Sequence, residues 1–157
     1  MDRACVSPTV RLAARADLDR LAAIEEAAFS GDRASRRALL HAITSPTIDC
    51  LVAEEGGQVI GYASLERRRN ARAAHLSSLA VAPSVMGRGL GRVLLQAAET
   101  CARTSGFERL RLEVRADNGP ARRLYERTGY TALIAIADYY EDGATAWRYE
   151  KRLTAPA

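Results

Sequence analysis

The chain has 157 residues, enough for one domain with an adequate apolar core, and its 48% hydrophobic and 27% charged content is that of a soluble globular protein. No apolar run has the length to cross a bilayer, and the opening Met1-Asp2-Arg3-Ala4-Cys5 has no apolar signal core, so a cytoplasmic location and no membrane partner are expected. The net charge of +4 comes almost wholly from arginine, and its one dense cluster, Arg67-Arg68-Arg69 with Arg72, lacks the interleaved aromatics of an RNA-binding face, so no nucleic-acid partner is expected.

Val10-Arg11-Leu12 reads as a short first strand. Asp17 caps a helix whose Leu18, Leu21, Ile24 and Ala28 recur at intervals of three or four. A second helical stretch, about 34–43, stops near Pro46. Segments 49–54 and 59–66 are strand-like and are joined by the turn Glu55-Gly56-Gly57-Gln58. A solvated arginine-rich turn leads to a further strand, 76–82, which ends at Pro83. After a glycine loop, Val93-Leu94-Leu95-Gln96-Ala97-Ala98-Glu99 has a helical pattern. Residues 109–115 alternate strictly, with Leu110, Leu112 and Val114 on one face and Arg109, Arg111, Glu113 and Arg115 on the other. Asn118-Gly119-Pro120 starts a helix that Gly129 ends. Segments 131–137 and 145–152 form a final strand pair, turned through Tyr139-Tyr140-Glu141-Asp142-Gly143. Cys5, Cys50 and Cys101 are odd in number and far apart, as free thiols are. His41 and His75 have no partner at ligand spacing, so no metal is expected, and His75 reads as a strand-edge residue.

The segment richest in information is Met86-Gly87-Arg88-Gly89-Leu90-Gly91-Arg92. A strand feeding a glycine loop and then a helix N-terminus is a phosphate-binding arrangement, because first-turn N–H groups lack partners and the helix dipole is positive there. Three glycines clear Cβ atoms from that spot, and Arg88 and Arg92 add charge. The spacing fits neither a P-loop, since the loop contains no lysine, nor a dinucleotide fingerprint, since Arg92 or Leu94 falls where the last glycine belongs.

The loop resembles the acyl-CoA pyrophosphate loop of the GNAT acetyltransferases, with Met86 where that family has Gln or Arg. Two further segments carry the resemblance: Leu112-Glu113-Val114-Arg115-Ala116-Asp117-Asn118 leading to Leu124-Tyr125-Glu126, and Tyr139-Tyr140-Glu141-Asp142-Gly143. It is closest to the subgroup acting on protein N-terminal amines, the ribosomal-protein-alanine N-acetyltransferase type. It covers nearly the whole chain and implies one domain over residues 1–157. The implied fold is α/β (α+β), a central mixed, mostly antiparallel sheet of about seven strands with about four helices.

The resemblance implies acetyl transfer from acetyl-CoA, without metal, to the N-terminal amine of an acceptor protein or peptide, or else to a small amine. A non-catalytic acyl-CoA-binding module is the remaining class. Such an enzyme acts as monomer or homodimer. An α-amine, with a pKa near 7.8, is far cheaper to neutralise than a lysine near 10.4. The implied base is Glu113 and the implied acid for the departing thiolate is Tyr125, twelve positions later. Residue by residue, Glu113 otherwise reads as an ion-pair partner of Arg111 and Arg115, and Tyr125 as a core aromatic. Leu79, Ala80 and Val81 would offer backbone groups to the pantetheine arm, and Gly87, Arg88, Gly89, Leu90, Gly91 and Arg92 would hold the pyrophosphate. Asn118 would bond the pantetheine amide or cap a helix. Phe29, in the segment 28–33, and the pair Tyr139 and Tyr140 would line the acceptor groove.

Overall fold

The computed structural model describes residues 8–29 and 31–153. Cys5 and the rest of the segment Met1–Cys5 lie outside the described residues, as does Ser30. In chain order the elements are β1 (Thr9–Leu12), α1 (Leu18–Ala28), α2 (Arg36–Thr44), β2 (Ile48–Glu55), β3 (Gln58–Glu66), β4 (Ala73–Val81), α3 (Leu90–Thr104), β5 (Arg109–Arg115), α4 (Gly119–Arg127), β6 (Thr131–Ile136) and β7 (Ala146–Arg152). Every element expected from the sequence is present. The main difference is β4, which begins three residues before Leu76 because Ala73, Ala74 and His75 pair with β5.

The strands form one seven-stranded sheet in the order β1-β2-β3-β4-β5-β7-β6. All neighbours are antiparallel except β4 and β5, which the crossover helix α3 joins in parallel. Alternation along the strands sorts the core into two layers. Leu65, Ala74, Leu76, Leu110, Leu112 and Tyr149 pack with Leu94, Leu95 and Ala98 of α3 and Tyr125 of α4. Cys50, Val52, Tyr62 and Ala80 pack with Leu21 and Ile24 of α1 and Leu39 of α2. Both described cysteines, Cys50 and Cys101, are free thiols.

The functional consequence lies at the middle of the sheet. β4 and β5 pair at only four positions, from Ala73 with Arg109 to Leu76 with Leu112. Beyond Leu76 the strands part. The register of β4 against β3 slips at this point, so that Ser64 faces Ser78 while Leu65 faces Leu76, leaving Ser77 as an extra residue. Such a bulge bends the strand that carries it. β5 stays straight on β7 through seven register pairs from Arg109 to Arg115. One strand bends, its neighbour does not, and a V-shaped opening results.

Helix ends then place the side chains around that opening. Asn118 caps α4, its Oδ1 accepting from the Ala121 N–H at 3.2 Å. At the other end Gly129 turns left-handed (φ 97°) and the Tyr130 N–H returns to the Tyr125 carbonyl at 2.9 Å, a glycine cap that fixes the turn bearing Tyr125. Asp17 stands at the N-cap of α1 without capping it. Its carboxylate is taken by Arg11 at 2.8 and 3.0 Å and by the Ala14 N–H at 2.7 Å.

Candidate active site

The opening between β4 and β5 is a cleft of about 720 Å³. Of the residues expected in the site, Leu79, Glu113, Asn118, Tyr125, Phe29 and Tyr140 line it. The glycine loop, Ala80, Val81 and Tyr139 do not. Ala80 points its side chain into the α1–α2 core, so only its backbone is available to a ligand. From Ser77 to Val81, β4 has no strand paired to it on the β5 side, and that open edge is one wall of the cleft.

The glycines divide by role. Gly87 (φ 83°) and Gly89 (φ 79°) are left-handed, and Gly89 is the N-cap of α3. A Cβ on either would meet nothing within 4 Å, so the space outside the loop is open. Gly91 differs from the expectation that it, too, clears a phosphate cradle. A Cβ there would come to 3.3 Å from Leu124 Cδ2, so this glycine lets α3 approach α4. The first bond of α3 is Val93 N–H to Gly89 O at 3.1 Å, which leaves the N–H groups of Leu90, Gly91 and Arg92 with no preceding helical carbonyl. Arg92 is exposed beside them. Arg88 is bonded to Glu55 on β2 at 2.6 Å, so its charge is shared before any phosphate arrives. A free helix N-terminus, an open loop and an unpaired strand edge fit the pyrophosphate and amide-bearing arm of an acyl-CoA.

Glu113 sits where β5 leaves β4, with its side chain 9% exposed. Its partners are not those that its neighbours in sequence imply. Arg111 is bonded to Glu150, and Arg115 to Asp142 and Asp117. Glu113 instead accepts from His75 Nε2 at 2.7 Å and from Arg148 Nη2 at 3.3 Å. His75 is therefore not a strand-edge residue but stands on a central strand, with Nδ1 at 3.0 Å from Glu66 Oε2. Burial acts to raise the Glu113 pKa, but the bonds and charges of His75 and then Arg148 outweigh it and hold the carboxyl below its ordinary 4.5. His75 moves the other way. The bond to Glu113 raises it, burial opposes, and the bond to Glu66 adds to the rise.

Tyr125 is 6% exposed and packs edge-on to Tyr130, ring centroids 5.7 Å apart. Its hydroxyl has no hydrogen-bond partner among the described residues, and the residue lines the cleft. Burial, and then the neighbouring Tyr140, push its pKa well up, which keeps the phenol protonated. A protonated phenol facing the cleft with its hydroxyl uncommitted is poised to donate.

Another part of the cleft's rim is an arch of loops. Arg115 binds Asp142 at 2.7 Å and Asp117 at 3.1 Å, approaches Asp32 at 3.9 Å and lies over the Tyr140 ring at 5.0 Å. The Glu141 N–H donates to Asp32 Oδ1 at 3.2 Å, which ties the α1–α2 loop to the β6–β7 loop. Tyr139 and Tyr140 meet edge to face with centroids 4.9 Å apart. Only Tyr140 lines the cleft, while Tyr139 is 45% exposed. Sequence reasoning missed His75, Glu66 and Arg148. The available signal was parity: His75 lies between Ala74 and Leu76, which point into the α3 core, so it faces the same side of the sheet as Glu113.

The family model of the "Acetyltransferase (GNAT) family" matches residues 18–130. The N-alpha-acetyltransferase RimI of Mycobacterium tuberculosis is 33% identical over 143 residues, covering 88% of this chain and 89% of that protein. Mycothiol acetyltransferase of Beutenbergia cavernae is 33% identical over 94 residues, but this chain spans only 32% of its length and the match covers 60% of the chain. Among solved structures, the ribosomal-protein-S18-alanine N-acetyltransferase of Escherichia coli superposes with a TM-score of 0.85 at 25% identity, covering 96% of each chain. Among the described residues no cluster of metal ligands is present, and no helix is long and apolar enough to cross a membrane.

Proposed function

The chain belongs to the GNAT family of acetyltransferases, and from that premise we propose that it acetylates the N-terminal α-amine of a peptide or protein, with Glu113 as proton acceptor and Tyr125 as proton donor. Acetyl-CoA is the cosubstrate and supplies an acetyl group already activated as a thioester. Residues 87–92 would hold its pyrophosphate, the edge of β4 its pantetheine arm, and the amide nitrogen of Asn118, whose oxygen is spent on the cap, a pantetheine amide.

The observation that carries the reading is the joint placement of Glu113 and Tyr125 on one cleft with the acceptor loops. Energetics favour an α-amine over lysine. Moving a proton from an α-ammonium near 7.8 to a carboxyl at or below 4.5 is uphill by at least about 4.5 kcal/mol, and from a lysine ammonium near 10.4 by at least about 8 kcal/mol. A carboxylate held this weak suits an amine that is partly neutral already. The neutral amine, hydrogen-bonded to Glu113, attacks the thioester carbonyl to form the C–N bond and gives its proton through Glu113 to solvent, while the C–S bond breaks as Tyr125 protonates the departing sulfur and then regains a proton from solvent. The relatives named for N-terminal and ribosomal-protein acetylation support the same acceptor class.

Acetyl-CoA turnover against N-terminal peptides, lysine peptides with blocked N-termini, and small amines tests this. The expected result is the highest kcat/KM for an N-terminal peptide. Faster turnover of blocked lysine peptides, or of a small amine, overturns the acceptor assignment.

A further inference from the structure

We propose that His75, itself seated by Glu66, is a positioning residue that fixes the Glu113 carboxylate at the cleft in its ionised form. The inference rests on the reading of Glu113 as the proton acceptor. Its ground is a hydrogen-bonded chain across adjacent strands: Glu66 on β3, His75 on β4, Glu113 on β5, with Arg148 of β7 at the far end. An ionised carboxylate can only accept, so an imidazole flanked by two carboxylates donates from both nitrogens and carries a positive charge. The charged groups that face it are Glu66, Glu113 and Arg111, its register mate on β5, whose guanidinium is occupied by Glu150. Burial opposes the charge on His75, and the two carboxylates overcome it.

The geometry assigns separate tasks to the two oxygens of Glu113. Oε2 is held by the short 2.7 Å bond from His75. Oε1 has only the 3.3 Å contact with Arg148, and is the oxygen left to receive an amine. Neither His75 nor Glu66 lines the cleft, so both act through Glu113. Exposure rises outward along the chain, from 9% at the Glu113 side chain to 31% at His75 and 34% at Glu66. The anchor is therefore set from the solvent side of the sheet.

A double-mutant cycle on the full chain tests this, using His75→Gln, Glu113→Gln and both together, with kcat at saturating substrates and acetyl-CoA affinity by calorimetry. His75→Gln is expected to lower kcat on the order of tenfold, one pK unit of lost interaction, without changing acetyl-CoA affinity. In the Glu113→Gln background the same substitution should cost nothing more. Glu66→Gln, at a more exposed site, should lower kcat in the same direction by less, and serves if His75→Gln folds poorly. NMR titration of the His75 ring should give a midpoint above 6.5 that falls in both Glu→Gln variants. Independent, multiplying losses in the cycle, or a His75 midpoint that ignores Glu113, overturn the positioning role alone. Full activity of Glu113→Gln overturns the reading of Glu113 and this role with it.

Discussion

The two ends of the cleft are built from different materials. The proposed cofactor end is one continuous stretch, from the edge of β4 through Gly87 and Gly89 into α3, and it offers backbone N–H and C=O groups. The proposed acceptor end is an arch of side chains from three loops, centred on Arg115, with Asp32, Asp117 and Asp142 around it. The first end depends on chain conformation and tolerates most side-chain changes. The second depends on long-range ion pairs and is open to tuning by single substitutions and by salt.

Three substitutions probe this contrast, in order of expected size. Tyr125→Phe stands where the two ends meet. It should lower kcat by roughly 100- to 10,000-fold, the usual contribution of a general acid, and leave both acetyl-CoA affinity and acceptor KM near wild type. Wild-type kcat would return Tyr125 to a packing role beside Tyr130. At the backbone end, Gly89→Glu adds a Cβ at φ 79° and a negative charge at the helix N-terminus. Acetyl-CoA affinity by calorimetry should fall at least about tenfold with the circular-dichroism spectrum retained. An unchanged affinity in the folded variant would remove the loop from the binding site. At the side-chain end, Asp32→Asn weakens the arch but leaves its backbone alone. Acceptor KM should rise about two- to fivefold, as exposed ion pairs allow, with the gap between variant and wild type closing at high salt. A rise that is indifferent to salt would mean that the arch acts through shape and not charge.

The same contrast explains what could be read in advance. The β5 alternation, the Asn118 cap, the Gly129 stop and the glycine loop are local patterns, and each stands in the structure where its pattern indicates. Glu113 and Tyr125 sit in such segments, and both line the cleft. The environment of Glu113 was not legible. Its neighbours in sequence are Arg111 and Arg115, but its partners are 38 and 35 positions away, brought in by the parallel pairing of β4 with β5 and by the insertion of β7 between β5 and β6. Nothing local in β7 announces that it pairs with β5 as well as β6. The partners of Arg115 were legible only in part, since Asp117 is two residues away but Asp142 and Asp32 lie on distant loops. The packing role of Gly91 against Leu124 was not legible, because helix packing and ligand access both call for a missing side chain.

The four register pairs that join β4 to β5 have a mechanical meaning. Each half of the sheet is a stiff plate, laced by longer ladders such as the seven pairs between β5 and β7. The seam ends at Leu76 and Leu112 and has fewer register pairs than the ladders on either side of it, six between β3 and β4 and seven between β5 and β7. The width of the V is set where the two strands part beyond that seam. Arg115 and its aspartates span the mouth as a tie-rod between the plates, which makes the spacing of the active site a property of the seam and the tie together.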